Sequence, residues 1–211
     1  MKRILLALMA LLMALSSFAQ DGETLRFMGI PVDGKKTDMI AALQQKGFEY
    51  DKDNQLLTGE FNGNDCFIII STNHNKVDRI IVGYNQSCDE ATIKIAYNNL
   101  LEQFQSNGKY YDLENKYLSP NEDISYGINI QNKQYDAAFL YRTPKLEKAL
   151  AEMNAVSADD IDWMNQVKSK TSKVFQVATG MVWFKIVDTY GRYSLAIYYE
   201  NLVNRPHGED L

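Results

Sequence analysis

The sequence predicts an α+β protein of two imperfect tandem units, each a helix followed by antiparallel strands, with a helical insertion in the second unit. One reason is that amphipathic stretches with helical spacing precede runs typical of strands. The other is a motif that recurs sixty-one positions later: Gly47, Tyr50, Asp51 and Asn54 return as Gly108, Tyr111, Asp112 and Asn115. A single helix cannot bury its apolar face alone, so each unit needs strands as a partner surface.

The N-terminus has the pattern of a secretory signal peptide. Two cations precede the apolar run Ile4–Leu15, and the small residues Ser17 and Ala19 come just before Gln20. The run is too short to span ~30 Å of hydrocarbon, and no cysteine stands at the cleavage point to accept a lipid. We therefore expect residues 1–19 to be removed and the mature chain, which has no transmembrane segment, to be periplasmic or extracellular.

Charge and composition narrow the classes of partner. Removal of residues 1–19 takes away two of the 22 cationic side chains and none of the 27 acidic ones, which leaves 20 against 27 and a net charge of −7. Such a chain is a poor ligand for nucleic acid or an anionic membrane surface. Its 45% hydrophobic content is ordinary for a globular protein.

The first unit is predicted over residues 20–86. Met39, Ile40 and Leu43 share one face of a helix that Asp33 caps and that ends at Gly47. Three strands follow, with an Asn-Gly hairpin signal between the first two. They are Gln55–Phe61, Cys66–Ser71 and Val77–Tyr84, joined by Asn62-Gly63 and by residues 72–75.

The second unit is predicted over residues 87–204, followed by a tail at 205–211. Ser87 and Glu90 have the spacing of a capping box, and the helix that they open carries apolar residues up to Phe104. Two hairpins are expected: Tyr126–Ile130 with Tyr135–Tyr141 across Asn132-Lys133, and Gly180–Asp188 with Arg192–Glu200 across Thr189-Tyr190-Gly191. Between them lies a helical insertion at about 143–175, with helix starts at Thr143-Pro144 and at residues 157–160.

The last hairpin is apolar on both faces. Val182, Phe184 and Ile186 line one face of its first strand, while Met181, Trp183 and Val187 line the other. A strand exposed on one side should alternate apolar and polar residues. Two interpretations follow: the sheet is covered by repeat helices on one side and inserted helices on the other, or one face is open for a partner.

Several short stretches carry a family resemblance. GIPVDG at 29–34, KGF at 46–48 and LTGEFNG at 57–63 resemble a broad group of uncharacterised exported proteins from Gram-negative gut bacteria that share the pattern GIPIDG, a helix, KGF and LxGxFxG. YYENLVN at 198–204 is similar to the final strand of that group. The resemblance implies export and no known activity. In outline, the tandem units also resemble the β-lactamase inhibitory proteins and the small outer-membrane lipoproteins of barrel assembly, which is a likeness of fold alone.

The two cysteines raise two questions. In the first turn of the second helix, Cys88 would have a lowered pKa and could act as a nucleophile, although His74 and His207 are the only histidines in the sequence. An exported chain can also bond Cys66 to Cys88. A turn flanked by Ser71 and Lys76 places Cys66 opposite Ile81, so this disulfide requires the chain to fold back before Cys88.

Two acidic stretches invite a metal interpretation that their context disfavours. Asp159, Asp160 and Asp162 fall where carboxylates cap a helix and favour its dipole. Residues 51–54 resemble the start of a calcium loop, but Asn62 stands where glutamate is required. We expect neither a metal nor another cofactor.

Three functions remain as hypotheses. The first is recognition of a protein or other envelope macromolecule through a sheet face carrying Met181, Trp183, Tyr193 and Tyr199, without catalysis. The second is a thiol-dependent or other hydrolase centred on Cys88. The third is a purely structural component of the envelope.

Overall fold

The computed structural model describes residues 23–155 and 163–206. The chain divides into two compact units. Within the described residues, the sheet unit consists of 25–142 and 180–206, and the helical unit consists of 23–24, 143–155 and 163–179.

Ten strands and five helices are formed within the described residues. The strands are β1 (Arg26–Phe27), β2 (Ile30–Pro31), β3 (Glu49–Asp51), β4 (Leu56–Phe61), β5 (Asn64–Asn73), β6 (Lys76–Tyr84), β7 (Tyr110–Asp112), β8 (Asp136–Tyr141), β9 (Gly180–Thr189) and β10 (Arg192–Asn201). The helices are α1 (Lys36–Gln44), α2 (Glu90–Ser106), α3 (Ile124–Asn129), α4 (Pro144–Asn154) and α5 (Trp163–Val177).

Eight strands form one antiparallel sheet in the order β3-β4-β5-β6-β10-β9-β8-β7. The four strands that follow α1 make one half, and the four that follow α2 make the other. β6 and β10 join the halves at the centre, where Ile81 lies opposite Tyr198. The protein therefore has the predicted α+β fold of two helix-plus-sheet repeats, and the strands of both repeats form a single sheet within the sheet unit.

The repeated sequence motif corresponds to a repeated structure at the two edges of the sheet. Strands β3 and β7 each have three residues and each ends in an aspartate. Asp51 accepts backbone N–H bonds from Asp53 and Asn54, at 2.9 and 3.1 Å. Asp112 accepts the equivalent bonds from the two residues at the same spacing, both at 3.0 Å. These are Asx turns, in which an aspartate side chain closes the loop after each edge strand.

Three two-residue turns fix the register of the hairpins. They are Asn62-Gly63, His74-Asn75 and Tyr190-Gly191, and both residues of each have positive φ, as type I′ turns require. A bulge between Ser71 and Thr72 shifts the pairing of β5 with β6. The turn is also two residues shorter than the predicted turn at 72–75, so the predicted register is wrong and Cys66 lies opposite Tyr84 instead of Ile81.

The core lies between α1, α2 and one side of the sheet, which we call the core face. Ile68, Val82, Ile197 and Phe184 follow one another across this face in register, and all four are fully buried. From α2, the Tyr97 ring meets Phe184 edge-on, with centroids 5.0 Å apart. This packing keeps α2 in place over the second half of the sheet.

The cap of α2 is not the predicted capping box. Asp89 occupies the N-cap and accepts the N–H of Thr92 at 2.8 Å, so Ser87 lies outside the helix. Asp89 satisfies an amide that would otherwise lack a partner in the first turn.

The predicted cap of α1 is also wrong. Lys35 holds the N-cap position without a side-chain bond. The Asp33 carboxylate instead accepts the N–H of Gly34 at 2.7 Å and the side-chain amide of Asn204 at 2.8 Å. Asp33 therefore links the segment that follows β10 to the loop before α1.

The segment predicted as the strand Tyr126–Ile130 is helix α3, and the first hairpin of the second unit is absent. Asp123 caps this helix by accepting the N–H of Tyr126 at 2.7 Å. Glu90, from the start of α2, accepts the N–H of Ile124 at 3.0 Å. These carboxylates stabilise the short helix, and β8 pairs with β7 and β9 instead.

The helical unit contains α4 and α5. Thr143 caps α4 as predicted, by accepting the N–H of Leu146 at 3.2 Å. Lys170 donates to the carbonyl of Glu152 at 2.9 Å and so links the two helices. The predicted helix start at residues 157–160 lies outside the described residues. No helix in 23–155 or 163–206 has both the length and the apolar character needed to cross a membrane.

Candidate functional site

The side of the sheet opposite α1 and α2, which we call the outer face, carries a row of apolar side chains. Each member lies directly opposite the next on the neighbouring strand, from β4 to β8. We call this row the apolar ladder; it consists of Leu56, Ile69, Ile81, Tyr198, Trp183 and Ala138. Ile69 is 38% exposed and the other five are half-buried. The ladder is therefore partly accessible, unlike the core face.

An aromatic stack forms the centre of the ladder. The rings of Trp183 and Tyr198 are parallel within 2°, with centroids 3.8 Å apart. The ammonium of Lys185 lies 5.9 Å from each ring centroid. The stack is a flat aromatic surface with a cation beside it, which is the composition that protein interfaces favour at their centres.

A buried carboxylate holds the stack in one orientation. Glu200 is 4% exposed and accepts the indole N–H of Trp183 at 3.0 Å. The same carboxylate pairs with Arg79 at 3.0 Å and, more distantly, with Arg205 at 3.9 Å. Because a buried carboxylate needs such partners, these contacts fix the orientation of the indole ring.

The four residues predicted to share a binding face do not share one. Met181 and Trp183 lie on the outer face, where both are half-buried. Tyr193 and Tyr199 lie on the core face, with 2% and 6% of their surface exposed. The ring of Tyr199 packs 4.9 Å from that of Phe27. The face assignment of the two tyrosines is therefore wrong, and they are core residues.

The structure adds outer-face residues that the sequence analysis missed. Tyr198 completes the aromatic stack, and Ile69 and Ile81 continue the ladder across β5 and β6. The unbroken apolar run 67–70 was the available signal, because a strand that is apolar at every position has apolar side chains on both faces.

Both cysteines are free thiols. Cys66 is fully buried in the core face, and burial raises the pKa of its thiol to about 11. Cys88 lies before the N-cap of α2, where its backbone forms an isolated antiparallel β-bridge with that of Tyr193 on β10.

The environment of Cys88 favours the protonated thiol. Its Sγ donates to the carbonyl of Tyr193 at 3.4 Å. Burial raises the pKa of Cys88, the neighbouring Asp89 carboxylate raises it further, and Arg192 acts in the opposite direction. The expected lowering of this pKa by the helix is therefore wrong, and the geometry is that of a hydrogen-bond donor.

The acidic loop at residues 51–54 forms the turn between β3 and β4. Its Asp51 carboxylate is occupied by Asn54, whose side-chain and backbone bonds lower the pKa of Asp51. Asp159, Asp160 and Asp162 lie outside the described residues. Elsewhere in the described part of the chain, no three His, Cys, Asp or Glu side chains are grouped so as to hold a metal ion.

A cleft opens on the other side of the sheet, between α2 and the tip of the β4–β5 hairpin. We call it the α2 cleft; its volume is about 390 Å³. Asn99 and Gln103 of α2 face Asn62 and Asn64 of the hairpin, and the side-chain N–H of Asn62 donates to Gln103 at 2.8 Å. A volume of this size is within the range of small-ligand sites, roughly 300–1,000 Å³.

No family model, curated protein or solved structure matches the chain.

Proposed function

We propose that the protein is an exported binding protein that recognises another envelope protein through the apolar ladder on its outer face. The observation that carries the proposal is the ladder itself, a half-exposed apolar row with an oriented Trp183–Tyr198 stack at its centre. Preorganised aromatic side chains lose little conformational entropy on binding, and they supply much of the binding energy at interfaces.

The rows beside the ladder support a protein partner. Lys185 and Asp136 lie in one neighbouring row, and Arg79, which pairs with the buried Glu200, lies in the other. An apolar centre with charged flanks is the usual anatomy of a protein interface. The outer face is also a broad surface built from central strands, which suits a folded partner better than a small molecule.

Two features of the sequence support a protein partner outside the cytoplasm. The N-terminal pattern favours export, and the mature charge of −7 disfavours nucleic acid and anionic membranes. The intact mass of the protein recovered from the periplasm or the medium should correspond to a chain that begins at Gln20. A chain of full length retained in the cytoplasm would contradict export.

Site-specific photo-crosslinking tests the partner surface. A benzophenone amino acid replaces Ile69 on the outer face or, as the matched control, Ile95 on α2, which is 62% exposed. In the producing cell we expect one protein adduct from position 69 that position 95 does not give, and the adduct should disappear when Tyr198→Ala is added. Adducts from both positions, or from neither, would contradict a dedicated outer face. The absence of adducts would favour the structural-component hypothesis.

A further inference from the structure

We infer that the α2 cleft is a second, separate binding site, and that its ligand is a neutral saccharide. The cleft lies on the helix-covered side of the sheet, so this inference is independent of the outer face. It starts from the charge of the lining. Within the described residues, none of the side chains that line the cleft is charged, although 23% of the chain is.

The cleft continues into a smaller hollow that is equally uncharged. Its volume is about 150 Å³, and it shares Asn62, Leu100 and Gln103 with the cleft. Phe104 and Tyr110 add aromatic surface there. An ionic ligand would lose its hydration in this space without gaining an opposite charge, so the lining selects a neutral one.

Carboxamides dominate the polar part of the lining. Asn62, Asn64, Gln86, Asn99 and Gln103 all contribute to the cleft. Each carboxamide offers both donors and an acceptor, and each sugar hydroxyl also donates and accepts, so the two groups are complementary. Ile93, Leu100 and Leu195 supply an apolar surface for the C–H groups of a sugar ring.

Two polar groups of the lining are not used by the fold. Among the described residues, the side-chain amide of Asn99 has no hydrogen-bond partner. The Tyr84 hydroxyl is buried and also makes no hydrogen bond there. Burial raises the pKa of Tyr84, while the Asn62 and Asn64 amides, which lie near it, act in the opposite direction. An unpaired buried hydroxyl costs free energy, and a ligand hydroxyl in the cleft would satisfy it.

Side chains, not a paired sheet edge, supply most of the polar groups in the cleft. The pairing of β6 with β10 ends at Gly83 and Ala196, and the pairing of β3 with β4 ends at Thr58, so short unpaired strand ends lie beside the cleft. The polar atoms of the lining nevertheless come mainly from side chains, the carboxamides together with the hydroxyls of Tyr84, Thr92 and Ser194. The geometry therefore favours a ligand rich in hydroxyl groups, and a peptide that adds to the strand ends is the alternative outcome of the test below.

The test uses the full mature protein, labelled with ¹⁵N, and a panel of defined neutral oligosaccharides that includes cellobiose, maltotriose, galactobiose and di-N-acetylchitobiose. Digalacturonate is the charged counterpart of galactobiose, and N-acetyl-trialanine amide is the neutral peptide probe. We expect at least one neutral sugar to shift the side-chain amide signals of Asn62, Asn99 and Gln103 saturably. Digalacturonate and the peptide should leave these signals in place. No shift with any neutral sugar, or a saturable shift with the peptide or digalacturonate, would overturn the inference.

Two variants separate binding from folding. Tyr84→Phe removes a hydroxyl without an internal partner, so it should leave the urea midpoint equal or higher while weakening sugar binding by roughly two- to tenfold, the effect of one lost hydrogen bond. Asn99→Leu should weaken binding to a similar degree. Asn121→Leu, the same change at an exposed position outside the cleft, should have no effect. If Asn99→Leu and Asn121→Leu weaken sugar binding equally, position 99 has no specific role in binding. If Tyr84→Phe lowers the urea midpoint and leaves sugar binding unchanged, the Tyr84 hydroxyl has a structural role only.

Discussion

Two adjacent tyrosines on β10 provide a matched comparison of the two sheet faces. Tyr199 is 6% exposed, and its burial raises the pKa of its hydroxyl well above the usual value. Tyr198 is half-buried on the outer face and stacks on Trp183. Because both belong to the same central strand, replacing either with alanine changes intrinsic strand propensity by a similar amount. The difference between the free energies of unfolding of the two variants therefore reflects how tightly each face of the sheet is packed.

The structure gives the expected magnitudes. Tyr199→Ala leaves a cavity beside Phe27 and should lower the free energy of unfolding by about 3–5 kcal/mol, as for other large aromatic core residues. Tyr198→Ala loses a stacking contact of about 0.5–1.5 kcal/mol and part of its buried area, so we expect a cost of about 1–2 kcal/mol.

Urea unfolding measures both variants. With a slope of about 2 kcal/mol/M, the midpoint of Tyr199→Ala should fall roughly 1 M further than that of Tyr198→Ala, and the slope itself should stay constant. Equal costs would mean that the outer-face side chains are packed as tightly as the core. In that case the reasoning for an open recognition surface would be refuted.

Three other predictions concern stability. Between about pH 8 and about pH 10, the free energy of unfolding of the wild type should fall by roughly 1–2 kcal/mol relative to that of Cys66→Ala. The reason is that burial raises the pKa of the Cys66 thiol to about 11, while the thiol of the unfolded chain titrates near 9.0. The same pH dependence of unfolding in both proteins would contradict this. Tyr97→Phe removes a hydroxyl that donates to the Asp136 carbonyl at 2.9 Å and should cost about 1 kcal/mol in thermal unfolding, whereas an unchanged melting temperature would exclude that role. Thr143→Ala removes the cap on the Leu146 N–H and should weaken α4 by about 1 kcal/mol, seen as faster amide exchange there; unaltered exchange would argue against the cap.

Local sequence signals were sufficient for most of the sheet. The Asn62-Gly63 pair fixed one hairpin, since type I′ turns need two residues that accept positive φ. The repeat of Asp51 at Asp112 predicted the tandem units, and each aspartate closes the same kind of turn, although the short edge strands β3 and β7 that precede these turns were not predicted. Short-range chemistry decides such elements, and a sequence displays it directly.

Tyr193 and Tyr199 were assigned to the wrong face because the predicted turn between β9 and β10 is one residue too long. A three-residue turn at Thr189-Tyr190-Gly191 would place Tyr199 opposite Met181, on the outer face. The actual turn is Tyr190-Gly191, which pairs Thr189 with Arg192 and puts Tyr198 opposite Trp183. Since side chains alternate with a period of two, a shift of one residue moves every one of them to the other face.

Helix α3 was missed because its stabilising partners are distant in the sequence. Tyr126, Ile128 and Ile130 alternate as in a strand, but Glu90 accepts an N–H at the start of the helix across 34 positions. Gly127 also packs so closely against Tyr135 that a Cβ there would lie 2.0 Å from its hydroxyl. The α2 cleft was missed for a similar reason, as its amides come from separate elements that only the fold brings together.

The central claim is that a partner binds the apolar ladder. The most direct measurement is the affinity of the partner captured through position 69 for two charge variants, Ile69→Lys on the ladder and Ile95→Lys on α2. Burying an unpaired ammonium in an interface is costly, so we predict at least a roughly tenfold weaker Kd for Ile69→Lys and an unchanged Kd for Ile95→Lys. Equal affinities for the two variants would contradict the claim.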